Sequence, residues 1–274
     1  MRRIAIVLGI ALCAAGCDGK SEGQRSVGPS RTVTAVNVGP ESNNLLRIGT
    51  EQVYTATVRW SDGSVTTEAA SWRSDAPVVA TVDSTGRARG VETGEATLVA
   101  GVQGLEGVLR IRVLPNYDGT WGGAAVVRTC RETGDWSGSD LCRDLRGLGQ
   151  LTTSVALTQD RDRLSGTLTL DDVEASIADG TIRNDGSASL TARLVESDDG
   201  TTLTFAFEPV ELRVRGDTMS GTSTMTATAT DLAGEFRVEF EMPQLTQSSA
   251  GLQVQTAAPI LGLRARIARK SSTR

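Results

Sequence analysis

Apolar and polar positions alternate along most of the chain in short runs, separated by turn-forming dipeptides, and no stretch sustains a helical period. Between residues 31 and 115 the β-prone runs are Thr32 to Val38, Gln52 to Trp60, Val78 to Asp83, Arg87 to Val91, Ala96 to Val102 and Val108 to Leu114. Turns fall at Asp62-Gly63, Thr85-Gly86 and Thr93-Gly94. Strands this short and this closely spaced predict a β-sandwich. Pro115-Asn116 marks a boundary, and eight further runs follow it: Trp121 to Thr129, Leu151 to Gln159, Leu164 to Leu170, Val173 to Ile182, Ser187 to Val195, Thr202 to Val214, Thr218 to Thr230 and Glu235 to Met242.

In this second region Leu203, Phe205 and Phe207 share one strand face, and Phe236, Val238, Phe240 and Met242 oppose Glu235, Arg237, Glu239 and Glu241. Hairpin signals at Asp179-Gly180, Asp185-Gly186 and Asp199-Gly200 point to sequential antiparallel neighbours. Leu164-Ser165-Gly166-Thr167 recurs as Met219-Ser220-Gly221-Thr222, as a repeated hairpin would. The fold class expected is all-β, a sandwich followed by an antiparallel domain over 116–242 that closes as an eight-stranded up-and-down barrel. A second sandwich, a barrel filled by its own side chains and a barrel with a ligand cavity all fit the pattern.

The stretch from Trp72 through Asp75, Pro77, Val79 and Val82 to Asp83, followed by Gly86, Gly90 and Gly94-Glu95-Ala96-Thr97-Leu98, resembles the bacterial immunoglobulin-like group 2 family. Gly49, Tyr54-Thr55-Ala56 and Asp62-Gly63 extend the similarity over nearly all of residues 31–115. The resemblance implies an immunoglobulin-like sandwich with Trp72 between its sheets, used as a spacer or adhesion module of the cell surface, with no catalytic residue to carry over. Gly119-Thr120-Trp121 resembles the G-x-W opening of lipocalin-like barrels.

At the N-terminus, Arg2 and Arg3 precede an apolar run, Ile4 to Leu12, too short to span a bilayer, and Ala14-Ala15-Gly16 leads to Cys17. This resembles a bacterial lipoprotein signal, with Ala14 where that family prefers Leu. It implies cleavage after residue 16, acylation of Cys17 and stable anchoring by more than one acyl chain. An ordinary secretory signal is the alternative. Residues 17–30 read as a flexible tether. With Cys13 in the signal and Cys17 acylated, Cys130 and Cys142 remain, and an oxidising compartment joins them. Closing so short a loop contributes about 3 kcal/mol in the chain-entropy model.

Composition narrows the chemistry. The 274 residues include no histidine, which removes Ser-His-Asp and Cys-His catalysis and His-ligated metals. Residues 31–115 carry 8 basic and 9 acidic groups, residues 116–242 carry 11 and 22, and residues 243–274 carry five basic groups and no acidic one. The acidic body argues against nucleic-acid binding, and the basic tail reads as a solvated, mobile terminus or an anionic-surface contact. Glu235, Glu239 and Glu241 share a strand face with Arg237, which reads as a solvated face rather than a carboxylate pair for catalysis. Asp160 to Gly166 lacks the ligand and glycine positions of a calcium loop. No phosphate loop, nucleophile elbow or dinucleotide fingerprint is present. Trp136, in the loop bounded by Cys130 and Cys142, is a candidate recognition residue for a sugar or protein partner, or else a plug folded over the barrel mouth.

The expectation is a non-enzymatic, lipid-anchored protein of the bacterial cell envelope with a spacer, adhesion or binding role, without cofactor or metal. The alternative is a carrier of a small apolar ligand. The ligand, the membrane leaflet and the oligomeric state are not legible in the residues.

Overall fold

Alternating residues decide which side of each strand is buried, and they do so in both halves of the chain. The computed structural model describes residues 31–198 and 200–247. Its first half contains β1 (Val33–Gly39), β2 (Leu45–Arg47), β3 (Glu51–Val53), β4 (Thr55–Trp60), β5 (Val65–Glu68), β6 (Ser71–Ser74), β7 (Ala80–Val82), β8 (Arg87–Gly90), β9 (Gly94–Val102) and β10 (Leu105–Leu114). These pair in the orders β1-β4-β5, β2-β10-β9-β6 and β3-β8-β7. Between the sheets lies a core that includes Tyr54, Val58, Leu98, Ile111 and Val113. Burial pushes the Tyr54 phenol up to about 12, so it stays neutral. Trp72 sits on β6, half-buried against this core. Gly86 has φ +81°, and a Cβ there would stand 2.4 Å from the Tyr54 carbonyl oxygen and 3.0 Å from the Trp72 ring.

The second half is a closed barrel of β11 (Gly119–Glu132), β12 (Leu151–Asp160), β13 (Arg163–Leu170), β14 (Val173–Ile182), β15 (Ala188–Asp198), β16 (Thr201–Arg215), β17 (Thr218–Ala229) and β18 (Phe236–Gln247). Every strand pairs antiparallel with its sequence neighbours, and β11 pairs with β18 to close the ring. The last strand continues to Gln247, past Met242. Asp179-Gly180, expected as a hairpin, lies inside β14, where the register with β15 shifts between Ile177 and Asp179. There Ala178 and Asp179 both face outward in succession, a bulge rather than a turn. Asp185-Gly186 does form the turn between β14 and β15. Asp199 lies outside the described residues, as do the signal segment, Cys17, the tether up to residue 30 and residues 248–274 of the basic tail.

Apolar side chains line the barrel interior. Phe205, Phe207, Phe236 and Phe240 are all buried, and the rings of Phe207 and Phe240 meet edge to face with centroids 6.2 Å apart. Trp121 lies among them, and its indole nitrogen donates to the Tyr117 carbonyl at 3.0 Å.

The two domains meet end to end. Leu114 and Leu45 pack into the barrel's own core cluster. Arg47 pairs with Asp118, Arg112 reaches Asn184 and Asp162, and Arg161 donates to the Ser42 carbonyl at 2.8 Å. The barrel elements involved are the β12–β13 and β14–β15 turns, so the contact is with one end of the barrel. β10 runs toward that end with β2 parallel beside it. β1 also runs toward it, since the turn after β1 carries Ser42. Its first residue, Val33, pairs with Trp60 and is therefore at the far end of the sandwich, about 20 Å away at ~3.3 Å per residue. Arg31 stacks over the Trp60 ring there, 4.2 Å from its centroid.

Because the Phe207 ring is fully enclosed, Phe207→Ala is expected to destabilise the barrel by about 3–5 kcal/mol. Denaturant unfolding of the purified chain measures this, and a loss below about 1 kcal/mol would mean that the interior is loosely filled.

Candidate functional site

The barrel has one end occupied by the sandwich and one end free. The free end is where the long connection between β11 and β12 folds over the mouth. Thr133 extends the β11–β18 pairing by donating its backbone N–H to the Glu235 carbonyl at 3.0 Å, and Asp135 donates likewise to Ala233 at 2.8 Å. Gly134 and Gly234 pass so closely that a Cβ on either would stand 2.3 Å from a backbone oxygen of the other strand. Beyond this crossing the chain makes a tight turn at Gly134–Trp136 and then one short helix, α1 (Leu141–Leu148).

Leu141 and Leu145 fall four apart on α1, so they share one face, and both are buried in the barrel cluster together with Trp136. Trp136 leans on Phe236 at a centroid distance of 6.4 Å. It is completely enclosed, so it plugs the mouth and offers no exposed anchor to a partner. Its indole N–H is buried without a hydrogen-bond acceptor. A disulfide joins Cys130 on β11 to Cys142 on α1. The same corner is tied by the Cys142 N–H donating to Glu132 Oε1 at 2.8 Å and by Arg146 donating to the Cys130 carbonyl at 3.2 Å.

A second feature is an open groove of about 250 Å³ on the barrel's outer wall, lined by Ser187, Glu211, Arg213, Ser220, Thr222 and Glu241 among others. Its charges are already matched. Arg183 holds Glu211 from both guanidinium nitrogens, and this contact keeps the carboxyl below the usual range for glutamate while raising the guanidinium. Asp185 accepts from the Ser187 hydroxyl at 2.6 Å and from the Ser187 N–H at 3.0 Å, and Arg213 approaches at 2.8 Å. These contacts, the Ser187 hydroxyl first, hold Asp185 at about 2. Glu241 pairs with Arg128, and Glu239 accepts from the Thr129 hydroxyl at 2.9 Å. The glutamates of β18 thus form a hydrogen-bonded sheet face. A groove of this kind can accept a polar surface. Among the described residues, no group of three His, Cys, Asp or Glu side chains is arranged to hold a metal ion.

Sequence reasoning brought Cys130, Cys142 and Trp136 to one place and missed what supports them. The helix α1 was not expected, although Leu141 and Leu145 carry its one periodic signal. The junction residues Arg47, Arg112 and Arg161 gave no signal, because their partners lie dozens of residues away in the chain.

The depressed acidity of Asp185 has a calculable sign. Its folded-state pKa lies below the unfolded value, so its contribution to stability is present above about pH 4 and fades as pH falls toward 2. Asp185→Asn should therefore flatten the stability profile over that window relative to the unsubstituted chain. Identical pH profiles in denaturant titrations would contradict the assigned contacts.

No match to a curated protein was found. No helix among the described residues is long and apolar enough to cross a membrane. Residues 32–108 match the family model of the bacterial Ig-like domain (group 2), so the first domain is similar to that family along nearly its whole length, a likeness that suggests a surface or adhesion-type role.

Proposed function

We propose that this chain is a non-enzymatic, lipid-anchored protein of the bacterial cell envelope, in which the Ig-like domain is a spacer and the barrel is the module presented for adhesion or binding. The observation that carries this reading is the linear order of the parts. Arg31, the first described residue, lies at the end of the sandwich opposite the barrel, and the barrel's capped mouth lies at the other extreme. An anchor at Cys17 would place the sandwich nearest the membrane and the barrel farthest from it.

The barrel's surface chemistry supports its exposure to water. Along β17, Thr218, Ser220, Thr222, Thr224 and Thr226 face outward while Met219, Ser223, Met225 and Ala227 are buried. A membrane-spanning barrel needs the reverse, an apolar outer band around its strands. The packed phenylalanine rings favour a solid interior over a carrier's cavity. The partner in this reading is an envelope polysaccharide or protein that meets the polar outer wall or the capped end.

Anchoring is tested by Cys17→Ser. The unsubstituted protein should partition into the detergent-rich phase and the variant should be released from membranes or remain uncleaved. Unsubstituted protein in the aqueous phase would remove the anchor from this reading.

A further inference from the structure

We infer that the segment from Trp136 to Gln150 is a disulfide-latched lid over the apolar mouth of the barrel, released when a dithiol reduces Cys130–Cys142. Five observations bear on it, all separate from the spacer reading. The lid touches the barrel through a small apolar set, Trp136, Leu141 and Leu145, and through two polar ties to β11, the Cys142 N–H on Glu132 and Arg146 on the Cys130 carbonyl. Within it Ser139 donates to the Trp136 carbonyl at 3.1 Å, Asp144 to Asp140 at 2.9 Å and Gln150 to Leu148 at 2.8 Å, and outside it Trp136 and Ser137 donate to the Thr133 and Gly134 carbonyls at 3.2 and 3.1 Å and Cys142 to the Glu132 carboxylate at 2.8 Å. None of these bonds belongs to the β11–β18 ladder, so the helix can leave the mouth without breaking it.

Glycines at both ends of α1 let the helix swing away from Trp136, which lies before the first of them. Gly138 and Gly149 flank α1 with φ of +74° and +71°, and nothing lies within 4 Å of where a Cβ would stand on either. Space around both glycines leaves their dihedrals free to change. The latch is the covalent bond between α1 and the fixed strand β11, and both cysteines are only half-buried, within reach of a thiolate. The closed position also leaves the Trp136 N–H enclosed without an acceptor, and an open lid would return it to water.

The chemistry is a thiol–disulfide exchange. A thiolate of the dithiol attacks one sulfur, the Cys130–Cys142 bond breaks, and the second thiol resolves the mixed disulfide. The dithiol gives up two electrons and closes as its own disulfide, and Cys130 and Cys142 end as two thiols.

Treating the full chain with dithiothreitol, without denaturant, tests this. Two additional thiols should titrate, the tryptophan emission should shift to the red with severalfold stronger iodide quenching, and the far-ultraviolet dichroism should stay unchanged. The emission change should vanish in Trp136→Phe and reverse on reoxidation. Two new thiols with no change in emission would overturn the lid, because the segment then stays shut without its latch. Loss of the β-sheet dichroism on reduction would overturn it too, since the disulfide would then hold the whole barrel together.

Discussion

The phenol of Tyr117 sits where the two domains meet, and the rest of the architecture is arranged around its hydrogen bonds. The hydroxyl lies 2.8 Å from the Gly186 carbonyl and 3.1 Å from the Leu212 carbonyl, so its one proton is shared between β16 and the turn before β15. Its backbone N–H donates to the side chain of buried Gln159 on β12 at 2.9 Å, and its carbonyl accepts from Trp121 on β11. One residue of the linker therefore binds several parts of the barrel at the point where the chain enters it. Burial drives the phenol well above the usual tyrosine range, so it remains a donor at any physiological pH. Left without these partners, so enclosed a hydroxyl would cost about 1–3 kcal/mol. The surrounding ion pairs, Arg47 with Asp118 and Arg112 with Asp162, are part-exposed and worth less individually.

Closure of the barrel depends on interruptions of its alternation. At Ala178-Asp179, Glu208-Pro209 and Pro243-Gln244, two consecutive residues face outward and the strand register shifts nearby. Each bulge bends its strand and raises the local twist, which a flat ladder could not do. Gly166 serves the same end, because with φ +147° a Cβ would stand 1.9 Å from the Ala156 oxygen. The interior then fills with Phe, Met, Leu and Val while Thr and Ser cover the outside. The exterior is polar and the core largely apolar.

The same interruptions explain what could and could not be read from the residues. All eight barrel strands were legible, because long stretches of most of them alternate, as Phe236, Val238, Phe240 and Met242 do on β18. The end of β18 was misplaced at Met242 because Pro243-Gln244 breaks that parity, and Leu245 restores it. Asp179-Gly180 has turn chemistry and a bulge geometry, which local propensity cannot tell apart. In the sandwich, β2, β5 and β6 escaped notice because they are three or four residues long and carry little apolar pattern. The pairing of Cys130 with Cys142 followed from counting thiols. The burial of Trp136 needed the leucines of α1 and the Gly134–Gly234 crossing, a tertiary contact with no local signature.

The central claim is that the contacts of Arg47, Arg112 and Arg161 around the Tyr117 linker make one rigid body of the sandwich and the barrel, so that the capped mouth is held away from Arg31. Spin labels at Val108 on the sandwich and Val195 on the barrel, both exposed, would report it through their distance distribution. The account predicts a single narrow population for the otherwise unsubstituted chain. A broad distribution covering many separations would contradict it, since the barrel would then swing freely on residues 115–118.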